Sequence, residues 1–259
     1  MKQAALVLMA GLLLATPVHA AGCGNTGAGY DGWKRDFAAE AKANGVGARG
    51  LKALAATSYA TATIKADRNQ KSFKLSLEQF MQKRGAATII AQGKKQKTAN
   101  AKLFASIEKK YGVPAGPLVA IWGMETAFGR YMGSQNTISA VATLAYDCRR
   151  PEFFREQLIA ALKLVDKGVL SSASKGAMHG EVGQTQFLPK NVILYGADGD
   201  GGGINLNNKA DAMASTARFL KAHGFSGRGP YRAGDFAGWN AASVYQKALA
   251  IIANEIDGY

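Results

Sequence analysis

The chain has 259 residues and a formal net charge of +14, from 32 basic and 18 acidic residues. Apolar residues make up 47% of the sequence, which is ample for one substantial core. The positive charge predicts an anionic polymer or membrane surface as partner. Nucleic acid is not favoured as a partner, because the basic clusters lack the interleaved aromatic residues of single-strand binders.

The first twenty residues have the pattern of a secretory signal. Lys2 precedes an apolar run over 4–17, and a small-residue cleavage site ends at Ala20. We expect cleavage there, leaving residues 21–259 as the exported mature chain. The apolar run is too short for a comfortable membrane anchor, and no second membrane segment follows in the sequence. Lipidation at Cys23 is not favoured, since the usual large aliphatic residue does not precede the small pair.

The two cysteines, Cys23 and Cys148, are far apart in the sequence. An exported chain meets a compartment in which thiols oxidise, so we expect a disulfide between them. Such a bond would tie the mature N-terminus to the middle of the chain. Two free thiols are the alternative.

Alanine-rich segments with helical periodicity dominate the remainder of the sequence, and strand-like alternation is scarce. The predicted helices cover residues 33–43, 75–84, 99–111, 117–130, 139–147, 152–167, 210–223 and 243–256. The glycine-dense segment 196–203 is predicted to be a loop. The pattern indicates one mostly helical domain.

Glu125 has the most informative position in the chain. In a helix over 117–130, it shares a face with Leu118, Ile121, Trp122 and Phe128, at three- and four-residue steps. Burial on this apolar stripe would raise the pKa of the carboxyl group, as a proton donor near neutral pH requires. The alternative is a structural carboxyl at the edge of the stripe or held by a hydrogen bond.

A set of short motifs runs in order along nearly all of the mature chain. They are Gly112-Val113-Pro114, Gly123-Met124-Glu125-Thr126, Gly129-Arg130, Met132-Gly133, Ala142-Thr143-Leu144, Gly183-Gln184-Thr185-Gln186-Phe187-Leu188-Pro189, Ala222-His223-Gly224 and Trp239-Asn240-Ala241-Ala242-Ser243-Val244-Tyr245. Each motif is weak alone, but their order and spacing are specific. On these residues the chain resembles the B family of lytic murein transglycosylases, the membrane-bound lytic transglycosylase B-like proteins.

The resemblance implies a mostly α, lysozyme-like fold of the goose-type lysozyme and transglycosylase kind, as a single domain with extra N-terminal helices. It also implies cleavage of the MurNAc-GlcNAc β-1,4 bond of peptidoglycan glycan strands, with formation of a 1,6-anhydro sugar end. No cofactor is implied. Together with the signal pattern, the resemblance implies a periplasmic enzyme.

The resemblance also implies roles for individual residues. Glu125 matches the single catalytic acid and base of the family, and Gln186 matches a glutamine that lines the groove beside it. Trp239, Asn240 and Tyr245 stand where the family has tyrosine, asparagine and tyrosine near the reacting sugar. Gln186 and Asn240 would stabilise developing charge, and the rings of Trp239, Tyr245 and Phe153 would stack on sugar faces.

Several positions depart from the family pattern. Phe153 and Phe219 replace groove aromatics that are often tyrosine, and core packing is the alternative for both. Ala177 stands where serine is common. Glu181 brings a carboxyl group near the groove, either as a solvated loop residue or as a charge that acts on the substrate.

No metal site is predicted. The loop Asp198-Gly199-Asp200-Gly201 resembles a calcium-type loop, but it offers only two carboxylates and no closing bidentate acid. We therefore expect a bare turn, with a degraded metal site as the alternative. His179 and His223 lack the partner spacing of a zinc site.

Two other functions remain as alternatives to the transglycosylase. A hydrolytic muramidase would use Glu181 or another acid to activate water. A non-catalytic cationic protein that binds the cell wall would keep the groove without its chemistry. The sequence identifies no protein partner.

Overall fold

The computed structural model describes residues 22–69 and 75–259, so the predicted signal segment lies outside the described residues. Within them the chain forms twelve α-helices and one antiparallel pair of short strands. In chain order the helices are α1 (Tyr30–Ala43), α2 (Ala48–Ala55), α3 (Thr61–Arg68), α4 (Leu77–Arg84), α5 (Ala86–Ala99), α6 (Ala101–Tyr111), α7 (Ala115–Thr126), α8 (Thr137–Tyr146), α9 (Pro151–Asp166), α10 (Pro189–Tyr195), α11 (Lys209–Ala222) and α12 (Ser243–Asp257). Strand β1 (Gln135–Asn136) pairs with β2 (Lys175–Gly176). In this part of the chain, no helix combines the length and the apolar character of a membrane span.

All eight predicted helices are present, with ends displaced by at most four residues. Helices α2, α3, α5 and α10 are present but were not predicted from the sequence. In α5, only Ala86, Ile89 and Gly93 are buried, so the apolar periodicity is weak. A side chain at Gly93 would lie 2.6 Å from Ile256, so this glycine allows α12 to pack closely on α5.

Helix α7 lies at the centre of the larger core. Helices α5, α6, α11 and α12 pack around it, and every residue of α7 except Glu125 is buried. A helix that is buried all round has no single apolar stripe, so the predicted stripe is wrong. The helix also ends at Thr126, because Ala127 and Phe128 adopt positive φ angles of 48° and 62°. Phe128 is therefore not on the helix that carries Glu125.

The N-terminal helices form a second core with α8 and α9. Aromatic residues of α1, among them Trp33 and Phe37, pack with Tyr146 and with aliphatic side chains of α9. A disulfide joins Cys23 to Cys148, as predicted, across 125 residues of sequence. It attaches the start of the described chain to the end of α8.

A third, smaller cluster of buried residues lies where α9, α10 and α11 meet. Its aromatic members are Phe187 and Phe219, and Trp239 packs against it. The segment between β2 and α10 enters this cluster through the short backbone pairing of Val182 with Phe187. This pairing places the Gln186 segment beside the C-terminal end of α7, where the Thr126 hydroxyl donates to the Gln184 carbonyl over 2.6 Å.

Candidate active site

Glu125 lies between two cavities at the C-terminal end of α7. One cavity, the polar arm, has a volume of about 270 Å³ and is lined on its other sides by Glu181, Gln186, Asn191, Phe219, Trp239 and Asn240. The other, the basic arm, has a volume of about 440 Å³ and is lined by Lys83, Arg84, Gln92, Arg130 and Tyr131. Glu125 is the residue that both arms share. The carboxyl group is thus accessible from both, although the remainder of its helix is buried.

A single carboxyl oxygen of Glu125 accepts two hydrogen bonds. The Tyr245 hydroxyl donates to Oε1 over 2.6 Å, and the Trp239 indole N–H donates to Oε1 over 3.0 Å. The described residues provide no hydrogen bond to Oε2. Because Oε1 is occupied as an acceptor, the proton of the neutral acid belongs on Oε2.

Burial raises the pKa of the Glu125 carboxyl above its ordinary value. The hydrogen bonds from Tyr245 and Trp239 oppose this rise, as does the positive charge of Arg84, whereas the negative charge of Glu181 adds to it. Desolvation outweighs the donors, so the acid keeps its proton to higher pH than an exposed glutamate does. The pKa of Tyr245 is likewise raised, chiefly by burial, so its hydroxyl keeps the hydrogen that it donates.

Packing holds both donors in place. Tyr245 lies in the first turn of α12 and is only 4% exposed, with its ring edge against Phe80. The ring is therefore not available to stack on a sugar, contrary to expectation. Trp239 lies between α11 and α12, edge-to-face with Phe187 and Phe219 at ring distances of 5.6 and 5.2 Å.

Gln186 lines the polar arm from a strained backbone position. Its φ angle is 57°, which is uncommon for a residue other than glycine and is typical of functional sites. Its Nε2 donates to the Gly183 carbonyl over 2.9 Å and to that of Met132 over 3.4 Å. These bonds occupy the amide nitrogen and orient the side chain.

The remaining predicted groove residues separate into two groups. Asn240 and Phe219 line the polar arm, and Phe219 is also 5% exposed within the third core cluster. Phe153 is 45% exposed on α9, packs edge-to-face on Phe154, and lines neither arm. The structure thus does not bring Phe153 to Glu125.

Glu181 faces the polar arm together with Glu125. Its Oε2 accepts a hydrogen bond from the His179 backbone N–H over 3.1 Å, and its Oε1 lies 3.5 Å from His179 Nδ1. Its side chain is 24% exposed. These contacts with His179 fix the position of the Glu181 carboxyl group, so Glu181 is not a freely solvated loop residue.

His179 links Glu181 to a buried acid, Asp67, whose Oδ1 lies 3.6 Å from His179 Nε2. Arg149 and Arg150 donate to the same oxygen over 2.5 and 2.6 Å, and Arg68 lies 3.2 Å from Oδ2. Burial opposes ionisation of Asp67, but the hydrogen bonds and the positive charges of Arg149 and Arg150 together outweigh it and lower its pKa. This cluster supports the wall of the polar arm.

Sequence reasoning missed the cations of the basic arm. Arg84 at the end of α4 donates to the Met124 carbonyl over 3.0 Å, and its guanidinium lies 5.8 Å from the centre of the Tyr245 ring. Arg84 is separated from Met124 by 40 residues of sequence, so no local spacing could reveal the contact.

A third acid, Asp211 in the first turn of α11, lies beside the two aspartates of the 198–201 loop. Asp198, Asp200 and Asp211 each bring one carboxylate oxygen within 4.8 Å of the others. Asp198 accepts backbone hydrogen bonds from Gly203 and Gly201, which lower its pKa. Asp211 accepts from two further backbone N–H groups, so these oxygens hold the loop together.

Comparison with known proteins places this geometry in a family. Residues 29–234 match the family described as the transglycosylase SLT domain. Membrane-bound lytic murein transglycosylase B of Escherichia coli strain K12 is 39% identical over 118 residues, which cover 44% of this chain and 33% of that protein.

Solved structures support the same assignment. SltB3 from Pseudomonas aeruginosa, in complex with NAG-anhNAM-pentapeptide, is 36% identical and covers 75% of this chain and 53% of that one, with a TM-score of 0.70. The SltB3 chain in a second complex, with NAG-NAM-pentapeptide, has 27% sequence identity to this chain. The match covers 89% of this chain and 80% of the SltB3 chain, with a TM-score of 0.81.

The chain spans about a third of the length of the curated relative that it matches and about half of the SltB3 chain in the first complex. The helical fold agrees with these lysozyme-like structures, and the predicted resemblance is confirmed. The family match extends from the start of α1 through the loop before Trp239. On this evidence the chain belongs to the transglycosylase SLT domain family.

Proposed function

We propose that the protein is a peptidoglycan lytic transglycosylase in which Glu125 serves as both acid and base. The observation that carries the proposal is the hydrogen bonding of one carboxyl oxygen. Oε1 of Glu125 accepts from both Trp239 and Tyr245, so the acidic proton is on Oε2. This is the arrangement that a proton donor to a glycan in the groove requires.

In the first step, Glu125 Oε2 donates its proton to the glycosidic oxygen between MurNAc and GlcNAc. The bond from that oxygen to the MurNAc anomeric carbon breaks, and GlcNAc leaves with the proton. Positive charge develops at the anomeric carbon, where the N-acetyl group of the same sugar supports it. The raised pKa of Glu125, caused mainly by burial, favours the protonated carboxyl group that this step requires.

In the second step, the Glu125 carboxylate accepts a proton from the C6 hydroxyl of the same MurNAc. The C6 oxygen then bonds to the anomeric carbon and closes the 1,6-anhydro ring, so no water is consumed. Trp239 and Tyr245 stabilise the intervening carboxylate, because hydrogen bonds to an ionised acceptor are stronger than those to a neutral one. This donor role replaces sugar stacking as our proposed role for Tyr245.

Gln186 and Asn240 supply complementary groups to the polar arm. The amide nitrogen of Gln186 is occupied by backbone carbonyls, which leaves its oxygen to accept from a sugar hydroxyl. Asn240 Oδ1 accepts from the Ala242 backbone N–H over 2.9 Å, which leaves its amide nitrogen to donate. Trp239, which is only partly buried, provides apolar surface for a sugar face.

The comparisons support this proposal through what is known of the relatives. SltB3 binds NAG-anhNAM-pentapeptide, a compound that carries the anhydro sugar which our mechanism would form. The E. coli relative is a lytic murein transglycosylase. We propose peptidoglycan glycan strands as the substrate of this chain.

The test compares the wild-type protein with Glu125→Gln on purified sacculi, with mass spectrometry of the released muropeptides. We expect the variant to release anhydro-muropeptides at least about 100-fold more slowly, since general acid-base catalysis commonly contributes this much or more. Glu156→Gln is the matched control, because this acid is 60% exposed and pairs with Lys190 at the surface. Undiminished release by the Glu125 variant would reject the proposal.

Hydrolysis is the second candidate, because Glu181 lines the polar arm with Glu125 and two carboxyl groups are the usual requirement of a hydrolase. In that case the products would be heavier by one water, and Glu181→Gln would selectively abolish them. A protein that only binds the cell wall would sediment with sacculi and release no soluble product. One mass spectrum therefore distinguishes all three functions.

For location, we propose that residues 1–20 direct export and are removed, which leaves residues 21–259 as the catalytic domain in the periplasm. The net charge of +14 suits an anionic cell envelope. N-terminal sequencing of the protein from a periplasmic extract tests the cleavage site. Recovery of the chain with Met1 or Lys2 at its N-terminus would reject it.

A further inference from the structure

The charge of the groove changes sign across Glu125. Among the described residues, the polar arm has a second acid, Glu181, and no cationic lining residue. The basic arm has three cations, Lys83, Arg84 and Arg130, and no acid apart from Glu125 itself. A glycan that crosses Glu125 therefore meets opposite charge on the two sides of the reacting bond.

The cations of the basic arm are accessible to a ligand. Lys83, Arg84 and Arg130 are exposed, and none of them forms an ion pair within the described part of the chain. Arg68, by contrast, is engaged by buried Asp67 and Asp147. Arg84 is also fixed by its hydrogen bond to the Met124 carbonyl, so part of the charge is already oriented.

The basic arm also offers room and apolar surface. Its volume of about 440 Å³ exceeds the 270 Å³ of the polar arm, and the ring of Tyr131 is 75% exposed at its edge. An arginine matches a carboxylate geometrically, and a nearby lysine adds a mobile positive charge. These features suit a peptide with free carboxylates better than an uncharged sugar.

On the basis of the proposed function, we propose that the basic arm binds the carboxylates of a stem peptide on the glycan beside the bond that Glu125 cleaves. Lys83 and Arg130 pair with these carboxylates, and Tyr131 packs against the peptide. Glu181 repels the same carboxylates from the polar arm. The charge difference therefore orients the strand in the groove as well as increasing its affinity.

The test measures the Kd of soluble glycan strands by fluorescence, with the Glu125→Gln protein as the starting variant so that no cleavage occurs. Strands with free-acid stem peptides are compared with strands from which an amidase has removed the peptides. We expect the peptide-bearing strands to bind about three- to tenfold more tightly, as two exposed ion pairs allow. Adding Lys83→Gln and Arg130→Gln should reduce this ratio to about one.

Two controls make the result specific. Lys102→Gln with Lys110→Gln removes two exposed charges of α6 that line neither arm, and the ratio should persist. Strands whose stem carboxylates are converted to carboxamides keep the peptide without its charge, and they should bind like the peptide-free strands.

A starting ratio of about one, or a ratio that survives loss of Lys83 and Arg130, would overturn the inference. So would carboxamide strands that bind as tightly as the free-acid strands. Because Kd requires no cleavage, it reports on the basic arm separately from the proposed reaction. Failure of the reaction would instead appear as the absence of anhydro products from the wild-type protein.

Discussion

The indole N–H of Trp239 points at Glu125 and donates to its Oε1 over 3.0 Å. An indole nitrogen can donate a hydrogen bond but cannot accept one. Glu125 therefore cannot place its own proton between Oε1 and Trp239. A tyrosine, the residue that the resemblance implies at this position, could donate or accept. The tryptophan of this chain thus favours one orientation of the neutral acid, with its hydrogen on Oε2.

Replacing Trp239 with Phe should lower kcat about tenfold and move the alkaline limb of the pH-rate profile to higher pH. In the wild-type protein the indole N–H stabilises the charged form of Glu125 and so lowers its pKa. Removing this donor raises the pKa further and leaves the carboxylate less stabilised. The measurement is the release of muropeptides as a function of pH. Phe219→Leu is the control, since Phe219 packs on Trp239 without contacting Glu125, and the limb should not move.

Replacing Tyr245 with Phe removes the other donor to Oε1 of Glu125. The loss of activity that it causes should therefore depend on whether Trp239 is present. With one donor removed, the other can still stabilise the Glu125 carboxylate, but loss of both leaves Oε1 without a donor. The double variant should therefore raise the activation free energy by more than the sum of the two single increases, with an excess of at least about 0.5 kcal/mol. The measurement is a double-mutant cycle on kcat/KM. Strictly additive losses would contradict the shared-oxygen arrangement.

Replacing Asp67 with Asn should destabilise the fold by about 2–3 kcal/mol at pH 7, since it leaves three arginines around a neutral side chain. The figure is below that of a fully buried pair because the arginine side chains are about 40% exposed. The pKa of Asp67 is lowered in the folded protein. The stabilisation is therefore present above the unfolded pKa of about 3.9 and disappears as the pH falls through the folded value.

Urea unfolding at pH 7 and at pH 3 tests this prediction. The difference between wild type and Asp67→Asn should narrow at the lower pH. Asp31→Asn is the control, because Asp31 forms only a surface pair with Lys34, and its unfolding midpoint should match wild type. A difference that is independent of pH would mean that Asp67 stabilises the fold without its charge.

Removing the disulfide with Cys23→Ala and Cys148→Ala should lower the free energy of unfolding by about 3–5 kcal/mol, given the length of the loop that it closes. The two cysteines are 125 residues apart. Reductant should lower the urea midpoint of the wild-type protein to that of the double variant, and it should leave the variant unchanged. A wild-type midpoint that ignores reductant would contradict a stabilising role.

Local sequence was informative where helices have strong apolar periodicity. It located α7, α9 and α12 to within a few residues, but it missed α5, whose buried residues are few and include Gly93. It also selected Glu125, although for a reason that is partly wrong. Helix α7 has no apolar stripe, and Glu125 is distinguished because the packing leaves only this residue of the helix unburied.

The site was only partly predictable from the sequence. The resemblance supplied Trp239 and Tyr245 as groove residues, but it did not indicate that both donate to one oxygen of Glu125. It placed Phe153 in the groove, whereas the structure has it exposed on α9. Arg84 has no motif at all, and only the packing of α4 on α12 brings it to the site.

The amino-acid sequence alone predicted the helical class, the family, the cysteine pair and Glu125 as the candidate acid, because periodicity, motif order and residue type can be read without tertiary structure. Tertiary structure decided which oxygen of Glu125 accepts the two hydrogen bonds and where the charge of the groove changes sign. The two donors to Glu125 lie 114 and 120 residues away from it in the chain. Hydrogen bonds and electric fields depend on distance in space, which packing alone sets.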